Sequence, residues 1–505
     1  MNPLYLDHFQ ASLLGGIEIL LLRVRATAPR VEDEDRQQAW HLLSYSLEVA
    51  TVWPMTQALL LALAPPMELA GFREDWLPYL EAGFAQGVAL LDRLAAAELA
   101  LHIGVLKRLL GQFDQAHTWL GHCTEQLAAH EQDAVRAALQ AKVWLELSRL
   151  ALDVDRRTAL ELAQQSLALY RTLDEPRGLA IVYQELGNIA RQLGNYGEAQ
   201  QMFTTSLHLW QTLQEPRGIA DALHVMSLVK LDLGELVEAI YLTQQRMDLC
   251  QRIGDRSGLA SAYQVLGLIH SYAGDYPASA LAFEESLSLW RRLGDHRQSG
   301  RTLTFLGNAK GAQGLYTEAC MYGELGLAQG QAIHNQWGIA QAYLLLGWNL
   351  LGMAAYPAAE QYLQTSLNLF RQLGQRNDIS QTLVWLAYGQ LGQGNTNQAA
   401  QYLRTALQIA QELKTHFPLR AALPALAVWA MQQGKIALAL AWYTAAKQHP
   451  VIANAQVFTD LAGQAVAQAA LRLSPGERNL AKSAGQALRL HAVIAQFLRE
   501  GEEYP

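Results

Sequence analysis

Residues 257–296 read SGLASAYQVLGLIHSYAGDYPASALAFEESLSLWRRLGDH, and the fold is decided in this stretch. Apolar side chains recur at steps of three and four on both sides of Gly274, the period of an amphipathic helix. The copy beginning near 177 shows the same pattern with Leu179, Tyr183, Leu186 and Ala190, then Ala199, Phe203, Ser206 and Leu207. Gly274 stands where the first helix must stop, because a left-handed backbone costs little without a β-carbon. Gly294-Asp295 ends the second helix and supplies a polar residue able to start the next one.

Shifting the chain by forty residues aligns Gly187, Gly267, Gly307 and Gly347, with Ser227 and Ala387 as small replacements. Seven residues later come Gly194, Gly234, Gly274, Gly314, Gly394 and Gly434, interrupted by Ala354, and then Tyr196, Leu236, Tyr276, Tyr316 and Tyr356. A small-residue column runs from Ala199 to Ala439, and large apolar columns run through Leu207–Leu407 and Leu213–Leu413. A second-helix column holds Trp210, Cys250, Trp290, Gly330, Phe370 and Ala410, which reads as packing between repeats.

Tyr183, Leu186-Gly187, Gly194-x-Tyr196 and Ala199 resemble the tetratricopeptide repeat, with a period of forty in place of the family's thirty-four. The resemblance implies an all-α fold: a right-handed α-solenoid, or superhelix, of stacked helix-turn-helix repeats with helical N- and C-terminal caps. Clear copies begin near 177, 217, 257, 297, 337 and 377, and a weaker one near 417. Two irregular copies lie upstream, marked by Gly104, Gly111, Phe113 and Ala116, and by Ala159, Leu167 and Leu173. The expected division is a helical N-terminal cap at 1–97, a solenoid of about nine repeats at 98–449 (clearest at 177–416) and a helical C-terminal cap at 450–505. Residues 28–36 (APRVEDEDR) read as a polar break, and Gly71, Trp76 and Leu80 hint at a degenerate repeat.

Composition agrees with this reading and excludes other classes. Of 505 residues, 51% are hydrophobic and 17% charged, and the net charge of −8 comes from 38 basic and 46 acidic residues scattered along the chain, so no nucleic-acid footprint stands out. Cys123, Cys250 and Cys320 are too far apart for a disulfide framework or a cysteine zinc site, which fits a reducing, cytoplasmic setting. The opening MNPLYLDHFQ has no secretory signal pattern. The uncharged stretches Asn335–Ala359 and Val49–Met67 are interrupted by Pro, Gly or polar residues, so neither is read as a membrane span.

No phosphate loop, HExxH, nucleophile elbow or dinucleotide-binding glycine motif is present, so neither a catalytic residue nor a cofactor is expected. His117, His122 and Cys123 are spaced around a helix and not along one face, so the histidines read as surface residues and no metal is expected. Leu473-Ser474-Pro475-Gly476-Glu477 is similar to the opening of a LuxR-type helix-turn-helix, but too little chain follows. A capped helix with Pro at its first position is the expectation.

Function is therefore sought on the concave wall, which in the family is lined by the first helix of each pair. Carried over column by column, the resemblance places there Gln184, Asn188 and Arg191; Asp221, His224 and Leu228; Gln264, Leu268 and Tyr272. It continues with Arg301, Thr304 and Asn308; Gln341, Leu344 and Trp348; and Gln381, Val384 and Tyr388. The family's Lys/Asn carboxylate clamp is not reproduced, since no lysine accompanies Asn188 and Asn308. Aromatic anchors suit a bound peptide or helix, although Trp348 and Tyr388 equally fit packing between repeats. If they are anchors, alanine at both weakens partner binding with helicity intact.

The forty-residue period with Leu-Gly-Asp links, and the tail His449-Pro450, Phe458, Asp460, Gly463, Leu473-x-Pro475 and Gly485-x-Ala487-Leu488, resemble the C-terminal sensor arm of bacterial STAND signal-transduction ATPases, without the ATPase domain. The resemblance implies a stand-alone sensor or adaptor. Two functions follow as expectations. One is a non-catalytic scaffold binding a protein or peptide in the groove. The other is a ligand-sensing regulator of signalling, transcription control or antiviral defence.

Overall fold

The computed structural model describes residues 3–27, 31–70, 73–128, 133–152, 155–413 and 415–500. Of the described residues, 87% are helical and none lies in a strand. The chain forms two compact units, up to Val229 and from Lys230 onward, a boundary that falls within the repeat array. Part of the polar break (residues 28–30) and Gly71 lie outside the described residues.

The first unit opens with helices Pro3–Thr27, Asp33–Ser46, Trp53–Ala70 and Arg73–Ala89, which enclose Ile17, Leu20, Leu43, Leu60 and Trp76 completely. Paired helices follow: Arg93–Leu109 with Phe113–Ala128, Ala134–Ala151 with Arg156–Thr172, and Pro176–Gln192 with Tyr196–Thr212. In the second unit the pairs run from Arg256–Ala273 with Tyr276–Arg292 to His416–Gln432 with Ile436–Ala446. No described helix is long and apolar enough to cross a membrane.

The forty-residue columns have identifiable physical causes. Gly194, Gly234, Gly274, Gly314, Gly394 and Gly434 have φ between 74° and 83°, and Ala354 takes the same turn at 57°. The links between pairs also turn left-handed, at Gly254, Gly294 and Gly374, and at Asp174, Gln214 and His334, where no glycine signals it. Asp255 and Asp295 start the following helices by accepting hydrogen bonds from the backbone N–H of Gly258 (2.8 Å) and Gln298 (2.9 Å). A β-carbon at Gly187 would lie 2.5 Å from the ring of Phe203, so the two helices of that pair pack closer than any side chain allows. Trp210, Cys250, Trp290 and Phe370 are all buried, as their column predicts.

One column has a function that hydrophobic periodicity does not reveal. Ser166, Ser206, Ser286 and Ser366 are fully buried, and each donates to a first-helix carbonyl: Ala141 (2.8 Å), Ala180 (2.8 Å), Ala260 (2.8 Å) and Ala340 (2.9 Å). In the next copy the bond is reversed, with Ser380 donating to the carbonyl of Ala406 at 2.7 Å. A buried hydroxyl needs such a partner, so the bond sets the register of each pair. At the C-terminal end, Ser474 and Glu477 form the expected capping box, with N···O distances of 2.8 and 3.3 Å.

Candidate binding groove

In the second unit the first helices of successive repeats pack side by side, and the predicted wall residues bond to the next repeat. Gln264 donates to Thr302 Oγ1 (2.8 Å), and Trp348 Nε1 donates to Asn308 Oδ1 (3.1 Å). Gln341 and the Trp337 indole both donate to Asp378, at 3.0 and 3.1 Å. Burial still raises the Asp378 pKa above its ordinary value, with those two donors acting in the opposite direction. The Tyr388 hydroxyl donates to the carbonyl of Ala421 (2.8 Å), and burial raises its pKa.

The wall is not bare. After helix Ile436–Ala446 the chain makes short turns, Pro450–Ala453, Gln456–Phe458 and the π-helical Thr459–Gly463, and these lie against the first helices. The segment begins beside helix Arg256–Ala273, far back in the array, and passes helices His296–Ala312 and Gln336–Gly352. Tyr276 donates to the carbonyl of Val451 (2.6 Å), and Tyr316 donates to the carboxylate of Asp460 (2.5 Å). The Phe458 ring stacks on Trp385 with centroids 5.8 Å apart, and Trp385 stacks on Trp348 at 5.3 Å. Thus 450–463, expected to belong to a terminal cap, runs across the wall instead. Its apolar residues Ile452, Val457 and Phe458 are buried there, with Phe458 against Trp385 and Tyr388.

This placement decides the ambiguity over Trp348 and Tyr388. They are 5% and 2% exposed and Leu344 is 3% exposed, so all three belong to a packed core that includes the chain's own Phe458. Alanine at Trp348 and Tyr388 therefore removes core packing, and the expectation of intact folding falls with it. Leu268, Tyr272, Asn308 and Trp348 meet at a cavity of about 300 Å³, closed partly by Phe458 and by Arg420. The Nε of Arg420 is buried without a hydrogen-bond partner among the described residues. Arg301 is exposed, with its guanidinium carbon 5.3 Å from the centroid of the Phe305 ring.

In the first unit Gln184, Asn188, Arg191 and His224 are half-buried on their helices. Alongside, first helices are tied by charge. Arg108 binds Glu146 (2.7 Å), Glu146 also pairs with Arg149, and Arg149 reaches Glu185 (3.1 Å). Burial pushes the Glu146 pKa up, but Arg149 and Arg108 together outweigh it and hold the carboxyl below its ordinary value. The ladder was not predicted. Only the Glu146/Arg149 spacing of three hinted at it, because Arg108 and Glu185 lie 38 and 36 residues from their partners, out of step with the forty-residue register.

Cys123 is buried, which pushes its thiol up to about 12 with Glu98 adding to the effect, and His122 Nδ1 lies 3.2 Å from Glu125. Among the described residues no three His, Cys, Asp or Glu side chains stand together as a metal site.

Residues 180–209 and 218–292 match family models of the tetratricopeptide repeat. The chain carries tetratricopeptide repeats. Comparison with curated protein sequences gives no significant match. Similar solved structures include the apo quorum sensor NprR from B. thuringiensis, at 13% identity and a TM-score of 0.49, covering 69% of this chain and 97% of that one. A Rap protein complexed with competence and sporulation factor has 11% identity and a TM-score of 0.48, covering 80% and 99%. A STAND protein with a tetratricopeptide-repeat sensor from Pyrococcus horikoshii has 14% identity and a TM-score of 0.44, covering 73% of this chain and 54% of that one.

Proposed function

We propose that the chain is a non-catalytic interaction scaffold that binds a protein or peptide on the first-helix wall of its repeats and regulates that partner. One observation carries the reading: in the second unit the wall already holds a polypeptide segment, 450–463. A surface that buries an aromatic ring and hydrogen-bonds both a backbone carbonyl and a carboxylate has the chemistry to hold a peptide. The test is photocrosslinking in the native host, with the crosslinker at Gln184, Asn188 or Leu268 on the wall and at Thr204, exposed on a second helix. A protein attached from wall positions alone supports the reading. Equal labelling from Thr204, or no specific adduct, defeats it.

The cavity beside Phe458 favours a second reading, a sensor whose second unit takes a small effector. Eight of its nineteen lining residues are aromatic and, among the described residues, Arg420 alone carries a full charge there, so the effector would be planar and anionic. A thermal-shift screen of aromatic carboxylates tests this. A stabilising hit that Arg420→Gln abolishes supports the sensor, and a flat screen removes it.

A further inference from the structure

Resting on the groove-binding reading, we propose that residues 450–463 are a built-in occupant of the second unit's groove. The external partner is then a short peptide of the same chemistry that displaces them. It carries an aliphatic pair like Val451-Ile452, an aromatic ring like Phe458 six residues after the second aliphatic, and a carboxylate like Asp460 two residues after the ring.

The segment is held as a ligand is held. Its contacts are with helices far away in sequence: the bonds from Tyr276 and Tyr316 span 175 and 144 residues. Both tyrosines belong to the Gly-x-Tyr column and open the second helix of their pairs, and their hydroxyls reach the segment from there. Asp460 is bound by neutral donors, Tyr316, Gln456 and Gln464, with no cation paired to it among the described residues. A buried ring, a captured backbone carbonyl and a captured carboxylate together supply the apolar and polar contacts with which a peptide site recognises its ligand.

The segment also fits imperfectly, which gives a competitor room to win. The cavity of about 300 Å³ is bordered by Ala455 and by Arg420, whose Nε has no hydrogen-bond partner among the described residues. A peptide with a longer acidic side chain where Ala455 stands fills part of that void and pairs Arg420. Tethering gives the internal segment an effective concentration of the order of millimolar. An identical free peptide therefore scarcely competes, whereas an improved one, or a weakened tethered segment, shifts the balance.

The experiment uses the full chain and a fluorescein-labelled synthetic peptide of residues 449–464, read by fluorescence anisotropy. The Phe458→Ala chain is expected to bind this peptide at least tenfold more tightly than the wild type does. The peptide carrying Phe458→Ala is expected to fail, and the peptide carrying Ala455→Glu to bind the wild type more tightly than the native sequence does. A helical Phe458→Ala chain that does not bind, or equal binding by both chains, overturns the proposal. If Phe458→Ala does not fold, hydrogen exchange on the wild type decides. Amides of 450–463 are expected to exchange before those of helix His416–Gln432, and exchange only with that helix marks the segment as permanent core. A partner crosslinked to the wall while 450–463 stays protected defeats this inference alone. Release of 450–463 with no crosslinked partner defeats the scaffold reading alone.

Discussion

The wall at 176–229 and the wall at 256–432 share the same forty-residue frame but differ in what they present. The first keeps Gln184, Asn188, Arg191 and His224 half-buried, while the second keeps Leu344, Trp348 and Tyr388 at 5% exposure or less beneath its own chain. The frame consists of turns, close contacts within each pair and serine-to-carbonyl bonds, and all of it is indifferent to what faces the groove. Wall positions are therefore free to diverge. A polar wall is stable in water, whereas an aromatic one exposed over several repeats would be a site of association, and here an internal segment covers it.

The largest effect should come from Trp385→Ala, which breaks the second unit selectively. Trp385 is 3% exposed and stacks on both Trp348 and Phe458, so its loss costs about 3–5 kcal/mol. Hydrogen exchange resolved by region is the measurement, since two units need not unfold together. Protection should fall across 336–463 and persist at 176–229. Equal loss in both regions would erase the distinction between the walls.

Glu146→Gln tests the first unit in the same way. It strands Arg149 and Arg108 beside a neutral amide, at a cost of roughly 3 kcal/mol at pH 7. The sign with pH is set by the lowered pKa of the folded carboxyl. Its stabilisation is complete above the unfolded value near ~4.3 and is lost as pH falls through the folded value. The gap in urea midpoint between wild type and Glu146→Gln should therefore narrow below about pH 4.3. A gap that stays constant down to about pH 2 would show that charge is not what ties these helices.

The smallest effect sharpens the comparison by testing what the units share. Ser206→Ala in the first and Ser366→Ala in the second remove the same buried bond and should each cost about 1 kcal/mol. Matching shifts in the two urea transitions support a common frame. A cost confined to one unit would mean that the bond matters only in that setting.

The paired helices, their turns and the buried Trp/Phe column were legible because each depends on neighbours within one forty-residue copy or the next. The serine column was equally visible in the spacing of Ser166, Ser206, Ser286 and Ser366. It went unread because a small polar residue in an apolar stripe gives no hydrophobic signal. Phe458 and Asp460 stood out in the tail, but nothing periodic connected them with Tyr276, Tyr316 or Trp385.

By itself the sequence determined that this protein is a stack of helix pairs and which columns hold each pair together, because those interactions are local and repeat with the chain. Only the tertiary structure decided that residues 450–463 lie across the second unit's wall, and so that Trp348 and Tyr388 are core residues. That contact joins residues up to 175 positions apart. It depends on where the stacked helices bring the chain back on itself, which no spacing along the sequence records.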